Sequence, residues 1–323
     1  MLKLTRRAVV AGAVAVPLVA RAQTWPSGPI RIVVPFPPGG SVDAVARLAQ
    51  AGLQQRFGVT VVVENRPGAS GSAGTAAVAK SAPDGNTWLL VFDTHAVNPA
   101  LLPNLPFDTD KDLDPVMLIA TAPYAVACHP SRPFNTLADV IAAAKAKPNT
   151  ISYASVGSGS IGHLAMVVLS KAAGVQMVHV PYRGGGPAMN DTVAGHVDLI
   201  NGSVALLTPQ IQAGRIRPVF QMGAARISAL ANVQTVREAG YPSAEANTWW
   251  GCYAPAGTPR PIIDRFAAAF RESLSEERPA KQLRESQQMN LVFSGPEELR
   301  RFAGEQTRIW SAVIRENNIK GDV

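Results

Sequence analysis

The sequence predicts an α/β protein of two similar domains, each with helices laid against an open, mostly parallel sheet. Three observations carry that prediction. Short β-branched runs alternate with amphipathic helical stretches, the order expected of parallel sheets. A strand, a glycine-rich loop and a helix follow one another twice, once around Gly39 and Gly40 and again around Gly157 and Gly159. The chain has 323 residues, of which about 300 remain once an N-terminal export segment is set aside, enough for two domains of about 150 each.

Residues 1–22 read as a signal peptide and not as part of the fold. Lys3, Arg6 and Arg7 make a basic start, residues 8–20 an apolar stretch, and Ala20-Arg21-Ala22 a cleavage site of small residues. The apolar stretch falls short of the ~20 residues that span a membrane. Thr5-Arg6-Arg7 adds a twin-arginine feature. A periplasmic mature protein is therefore expected. Loss of Lys3, Arg6, Arg7 and Arg21 takes the formal charge from +7 to +3, and no block of like charges remains, so nucleic acid is not an expected partner. Cys128 and Cys252 are the only cysteines, and they read as two buried core thiols rather than as a bridge.

The elements follow in order. Residues 30–34 predict a strand, and Phe36-Pro-Pro-Gly-Gly-Ser-Val-Asp43 a loop that opens a helix. That helix has apolar positions Val42, Val45, Ala46, Ala49, Leu53 and Phe57 and is stopped by Gly58. Residues 59–63 are nearly all β-branched and predict a strand buried on both faces. A glycine-rich turn with a short helix (68–80) and a third strand (87–92) complete the first unit. The second unit has a helix at 137–147, a strand at 151–154, the loop Ser155-Val-Gly-Ser-Gly-Ser160, a helix through Ala173, and strands at 175–180 and 197–200. Helices at 261–274 and 296–316 end the chain and are expected to pack back on the first domain.

The chemistry visible in these loops is that of the backbone. The first turn of a helix leaves N–H groups without partners and carries partial positive charge. A glycine loop that feeds such a helix from a strand end makes an anion site at the sheet's carboxyl edge. In the first loop Gly39 and Gly40 admit a ligand closely. Ser41 is expected to cap the helix or donate to a carboxylate, and Asp43 to bond backbone beside the site. In the second loop Ser155, Ser158 and Ser160 add hydroxyls to the helix amides. Its Gly157-Ser-Gly-Ser-Ile-Gly162 matches the dinucleotide pattern G-x-G-x-x-G, but no acid follows about 20 residues on. Tyr182-Arg183 stands there instead, which leaves an exported NADP-dependent oxidoreductase as the alternative. No serine-nucleophile elbow, zinc motif or paired acids appear. His163 is the histidine expected to face the cleft, His95 beside Thr94 the next, and His179 is expected in the core.

Together these residues resemble one family. Arg31-Ile-Val-Val-Pro-Phe-Pro-Pro-Gly-Gly-Ser-Val-Asp43, Val63-Glu-Asn-Arg-Pro-Gly68, Asn98-Pro-Ala-Leu101, Tyr153-Ala-Ser155 with Gly157, Gly159, Ser160 and His163, Val178-His-Val-Pro-Tyr182 and Ala254-Pro-Ala-Gly-Thr-Pro259 are similar to the Bug/TctC extracytoplasmic solute receptors. The resemblance runs through the whole mature chain. It implies a type II periplasmic-binding-protein fold of two doubly wound lobes with a ligand cleft between them. Lobe 1 would comprise 23–122 and 224–323, and lobe 2 residues 123–223. It implies a monomeric receptor, with no catalysis and no cofactor, that hands a small di- or tricarboxylate or aromatic acid to a TctA/TctB-like membrane transporter or to a sensor. The implied ligand-binding residues are Phe36, Gly39, Gly40, Ser41, Asp43, Thr94, His95, Ser155, Gly157, Ser158, Gly159, Ser160, His163, Asn201 and Ser203. Where the family often has Phe-Asp-Asn, this chain has Asn201-Gly202-Ser203. Without that aspartate an amino acid ligand is disfavoured against a plain or aromatic carboxylate. Ala231-Asn-Val-Gln234 and Ile161 are further departures from the pattern.

Overall fold

The computed structural model describes residues 25–102 and 104–321, so the signal peptide predicted over 1–22 lies outside the described residues. The strands are β1 (Ile30–Val34), β2 (Val61–Asn65), β3 (Thr87–Phe92), β4 (Leu113–Cys128), β5 (Ser152–Ser155), β6 (Val178–Pro181), β7 (Leu199–Ser203), β8 (Arg217–Gln221), β9 (Asn247–Pro255) and β10 (Asn290–Leu291). The helices are α1 (Ser41–Phe57), α2 (Ser72–Ala79), α3 (Thr94–Leu101), α4 (Leu137–Ala146), α5 (Ile161–Ala173), α6 (Gly185–Val193), α7 (Val204–Gln212), α8 (Arg260–Ser275), α9 (Glu277–Lys281) and α10 (Pro296–Glu316).

One long strand organises the molecule. β4 has 16 residues, about 50 Å of extended chain, and serves two sheets in succession. Residues 113–123 pair with β9, and from Tyr124 onward the strand pairs with β7 and β8. The first sheet runs β2-β1-β3-β9-β4-β10 and the second β6-β5-β7-β4-β8. Each sheet thus has three parallel strands followed by one antiparallel strand, β9 in the first and β4 in the second, and then a strand that again runs with the parallel set, β4 in the first and β8 in the second. This is the α/β architecture predicted from the repeated strand, loop and helix. The long crossing strand itself was not anticipated.

The first sheet is covered on both faces. On one face α1 and α8 pack through Val42, Val45, Leu53, Phe266 and Phe270 onto Ile30, Ile32, Trp88 and Leu90. Trp88 stacks on Phe266 with ring centroids 3.7 Å apart. On the other face Val78 of α2 and Leu299 of α10 cover Val33, Leu89, Val91, Trp249 and Tyr253. The second core gathers Tyr153, Leu164, Leu169, Leu199 and Phe220. Val97 and Leu101 of α3, together with Trp310 and Ile314 of α10, belong to that second core.

Two expectations change here. The strand predicted at 59–63 begins at Val61 and lies at the edge of its sheet, with Val62 46% exposed. A β-branched run fits a half-covered edge as well as a buried strand, and local pattern does not distinguish them. Of the C-terminal helices, α8 packs on the first lobe as expected, whereas α10 spans both. Its 21 residues reach about 30 Å, enough to carry Leu299 on one core and Ile314 on the other. Cys128 and Cys252 are buried free thiols, as the sequence indicated.

Candidate functional site

Strand register fixes where the helix starts meet. Phe92, the last residue of β3, stands opposite Trp250, which stands opposite Ala120 of β4. Ser203, the last residue of β7, stands opposite Tyr124. The carboxyl edges of the two sheets therefore face each other along β4 near residues 120–124. The helices that leave β1, β3, β5 and β7, namely α1, α3, α5 and α7, all begin at these two edges. Each brings amides without helical partners and a positive dipole end toward one crevice.

The first lip is the loop from β1 to α1. Gly39 takes φ +84°, which glycine adopts without strain, and Gly40 is the N-cap with no side-chain cap. Ser41 is the first helical residue and so does not cap, contrary to one of its two predicted roles. Its Oγ accepts the indole N–H of Trp250 at 3.2 Å. Asp43 turns inward. Its Oδ2 accepts from Gly39 N and Arg47 Nε, each at 2.9 Å, and its Oδ1 from Asn65 Nδ2 at 3.0 Å. Asn65 also donates to Phe36 O at 3.1 Å. Burial pushes the Asp43 carboxyl up, but the hydrogen bonds from Arg47, Gly39 and Asn65 outweigh it and hold the group below the ordinary carboxylate range. Asp43 is thus the tether of the loop, as its expected bond to backbone implied, and both its oxygens are occupied. The amides of Ser41 and Val42, in the first helical turn, have no acceptor within the protein among the described residues. Phe36 meets Phe92 edge-on at 6.2 Å, and Phe92 meets Trp250 at 5.5 Å, so an aromatic wall lies beside these donors.

At the end of β3 three consecutive residues part ways. Asp93 is fully buried and accepts the Tyr124 hydroxyl at 2.7 Å. Burial pushes its carboxyl up to about 7, against the opposing pull of that hydroxyl. Thr94 opens α3 with a buried hydroxyl that has no hydrogen-bond partner among the described residues. His95 leaves the crevice. Its ring lies 4.8 Å from that of Tyr253, in a small cavity of about 30 Å³ lined also by Asp110, Arg300 and Thr307. Tyr253 faces the α2 and α10 side of the first sheet, so His95 stands apart from the other predicted site residues. Burial lowers its pKa to about 4, which keeps the ring neutral.

The second lip is built largely by its own side chains. Gly157 N donates to Ser155 Oγ at 3.2 Å, and Gly159 N to His163 Nδ1 at 2.9 Å. Ser160 is the N-cap of α5, accepts from His163 N and donates to Gly157 O at 2.7 Å. Ser155 Oγ lies 2.7 Å from His179 Nε2. His179, expected in the core, is half-buried beneath this lip and stacks on His163 with centroids 3.8 Å apart. Ser158 sits half-buried at the loop's tip between the two glycines. A dinucleotide site would require the Gly157 and Gly159 amides for pyrophosphate, and both are already engaged. The oxidoreductase alternative loses its anchor here. Gly159 has a further duty: a Cβ there would stand 2.3 Å from Leu101 of α3, so the glycine lets the two lobes touch.

The β7 end closes the crevice. Asn201 Nδ2 donates to Gly162 O at 2.7 Å and braces the start of α5, and Ser203 caps α7. Both are buried. Gly202 is confined: a Cβ would lie 3.2 Å from Leu206 and 3.3 Å from Leu207. The two leucines thus occupy the space beside this position. Among the described residues no group of three or more His, Cys, Asp or Glu could hold a metal, and no helix is long and apolar enough to cross a membrane.

Sequence reasoning missed Asp93, Tyr124, His179, Asn65 and Trp250. Asp93 carried a signal, as an acid at the end of an otherwise apolar strand. Trp250 carried none, because its partner Ser41 lies 209 residues away.

Comparison with known proteins gives a consistent result. The model of the tripartite tricarboxylate transporter family receptor matches residues 45–319. BugT of Bordetella pertussis is 34% identical over 301 residues, covering 93% of this chain and 92% of that protein. Rpa4515 of R. palustris, solved with adipate, is 30% identical with a TM-score of 0.86, covering 92% of this chain and 99% of that one. MatC of Rhodopseudomonas palustris, solved with bound malate, is 28% identical with a TM-score of 0.80, covering 90% and 100%.

Proposed function

The chain belongs to the tripartite tricarboxylate transporter receptor family, and from that premise we propose that it captures a small, amine-free carboxylate between its two lobes and presents it to a membrane transporter or sensor. Receptors of this family bind solutes in the periplasm and are not enzymes. The finer reading is ours: an export signal over 1–22, lobe 1 at 23–122 and 224–323, lobe 2 at 123–223, and a ligand held at the crevice of the four helix starts.

The observation that carries the reading is the first lip. Unpartnered amides at the start of α1, the Ser41 hydroxyl and the neighbouring Thr94 hydroxyl are all donors, the Asp43 carboxylate is engaged by the loop, and the Asp93 carboxyl behind Thr94 is buried against the Tyr124 hydroxyl. Such a lip suits an anion. Phe36, Gly39, Gly40, Ser41 and Thr94 take the carboxylate. The second lip, with Ser158 and His163, closes over the rest of the ligand, while Ser155, Ser160, Asn201 and Ser203 hold the frame. Adipate and malate, present in the structures of Rpa4515 and MatC, set the size of ligand to try first. The space taken by Leu206 and Leu207 beside Gly202 favours acids without an amine.

A thermal-shift panel of adipate, malate, citrate, benzoate, aspartate and NADP tests this, because a ligand that binds the native state raises Tm. We expect a rise with an amine-free acid, confirmed by calorimetry. Stabilisation by NADP alone would end the receptor reading. Aspartate binding far tighter than every amine-free acid would remove the amine-free part.

A further inference from the structure

Trp250 is 1% exposed and sits on β9 opposite Phe92, far from either glycine loop in sequence. Its indole N–H reaches Ser41 Oγ at 3.2 Å. An indole N–H only donates, whereas a hydroxyl carries one proton and two lone pairs. The bond therefore takes a lone pair of Ser41 and leaves its proton for an acceptor. Within the protein Ser41 Oγ has no other hydrogen-bond partner among the described residues. Ser41 is also the first residue of α1, where neighbouring amides point the same way and the dipole favours an anion. Thr94, at the adjacent strand end, adds a buried hydroxyl without a partner.

We infer that Trp250 is a positioning residue: it locks the Ser41 hydroxyl as a donor to the ligand's carboxylate. The inference rests on the carboxylate-capture reading and adds a specific determinant to it. The indole is itself fixed, edge-on to Phe92 at an interplanar angle of 63°. The Ser41 hydroxyl is therefore oriented before any ligand arrives, so little rotational freedom is lost on binding. A lip so arranged turns amide and hydroxyl protons toward the ligand, and its carboxylate, Asp43, is already bonded to Gly39, Arg47 and Asn65, which favours an anion over an ammonium.

The test is a double-mutant cycle. The probe is whichever acid among adipate, malate, citrate and benzoate most raises the wild-type Tm, and Kd is measured by calorimetry. Trp250→Phe keeps a ring and removes the N–H, Ser41→Ala removes the hydroxyl, and Ser41→Thr keeps it. We expect Trp250→Phe and Ser41→Ala each to weaken binding about tenfold, the scale of one hydrogen bond to a charged group. The double variant should be no weaker than Ser41→Ala alone, and Ser41→Thr should stay near wild type. Unliganded Tm, followed for every variant, separates loss of fold from loss of binding. Wild-type affinity in folded Trp250→Phe, or effects that simply add, would overturn the assignment. If Trp250→Phe does not fold, the Ser41 pair decides: equal affinity in Ser41→Ala and wild type overturns it. If no acid in the panel binds wild type, the capture reading fails first and this assignment with it.

Discussion

Asp93 makes the energetics of the lobe junction measurable. Its carboxyl is fully buried where β3 ends and touches Tyr124, the residue at which β4 changes sheets. Burial raises its pKa from 3.8 to about 7. The folded protein therefore holds a proton that the unfolded chain releases between those values. The associated stability is fully present below about pH 4 and is lost as pH rises through about 7. For a group shifted this far, the loss between pH 5 and pH 8 comes to about 3 kcal/mol. Asp93→Asn keeps the shape and an oxygen that can accept the Tyr124 hydroxyl, and it removes the titration. Other carboxylates change stability with pH in both proteins, so the difference between wild type and variant is the quantity to follow. Urea unfolding at both pH values should show wild type losing about 3 kcal/mol relative to Asp93→Asn on going from pH 5 to pH 8. A difference that does not vary with pH would refute the reasoning: the carboxyl would then be ionised at both, held by contacts that this structure does not provide.

Three further predictions concern the lips. Gly40→Val should fold normally, because Gly40 has φ −78° and a Cβ would meet only Pro37 O at 3.7 Å, yet carboxylate binding should be lost by calorimetry; unchanged affinity moves the site elsewhere. Gly39→Ala and Gly159→Ala both place alanine at positive φ, at a cost of about 1–2 kcal/mol each, but only the second drives a Cβ to 2.3 Å from Leu101. Urea midpoints should therefore fall further for Gly159→Ala, and equal losses would deny the contact between lobes. Asp43→Ala unties Gly39, Arg47 and Asn65 together and should cost about 1–3 kcal/mol of stability while also weakening ligand binding, because the loop loses its tether. Since the Asp43 pKa is depressed in the folded state, its contribution is present above the ordinary carboxylate range and fades as pH falls through the folded pKa. A wild-type Kd in Asp43→Ala would show that the loop holds its shape without the tether.

What the sequence determined by itself is local. The spacing of Val42, Val45, Ala46, Ala49 and Leu53 makes α1 whatever surrounds it, and the helix runs Ser41–Phe57 up to Gly58 at φ +67°. Residues 87–92 and 296–316 form the predicted strand and helix over those same spans. The two glycine loops lie where the repeated pattern put them, because a strand, a tight turn and a helix start are settled within about a dozen residues. What only the tertiary structure decided depends on partners far away in the chain. His95 and Thr94 are adjacent, yet one packs on Tyr253 and the other opens α3 at the crevice, because successive residues there face different layers. His179 reads as a core residue until β6 takes its place beside β5 and brings it under Ser155 and His163. The two lips looked equivalent in sequence, but the amides of Gly157 and Gly159 are taken up by side chains, while the first lip keeps its donors because Asp43 binds the loop from behind. And Ser41 is only a serine beside two glycines until β9 returns between β3 and β4, carrying Trp250 across 209 residues to set the direction of its proton.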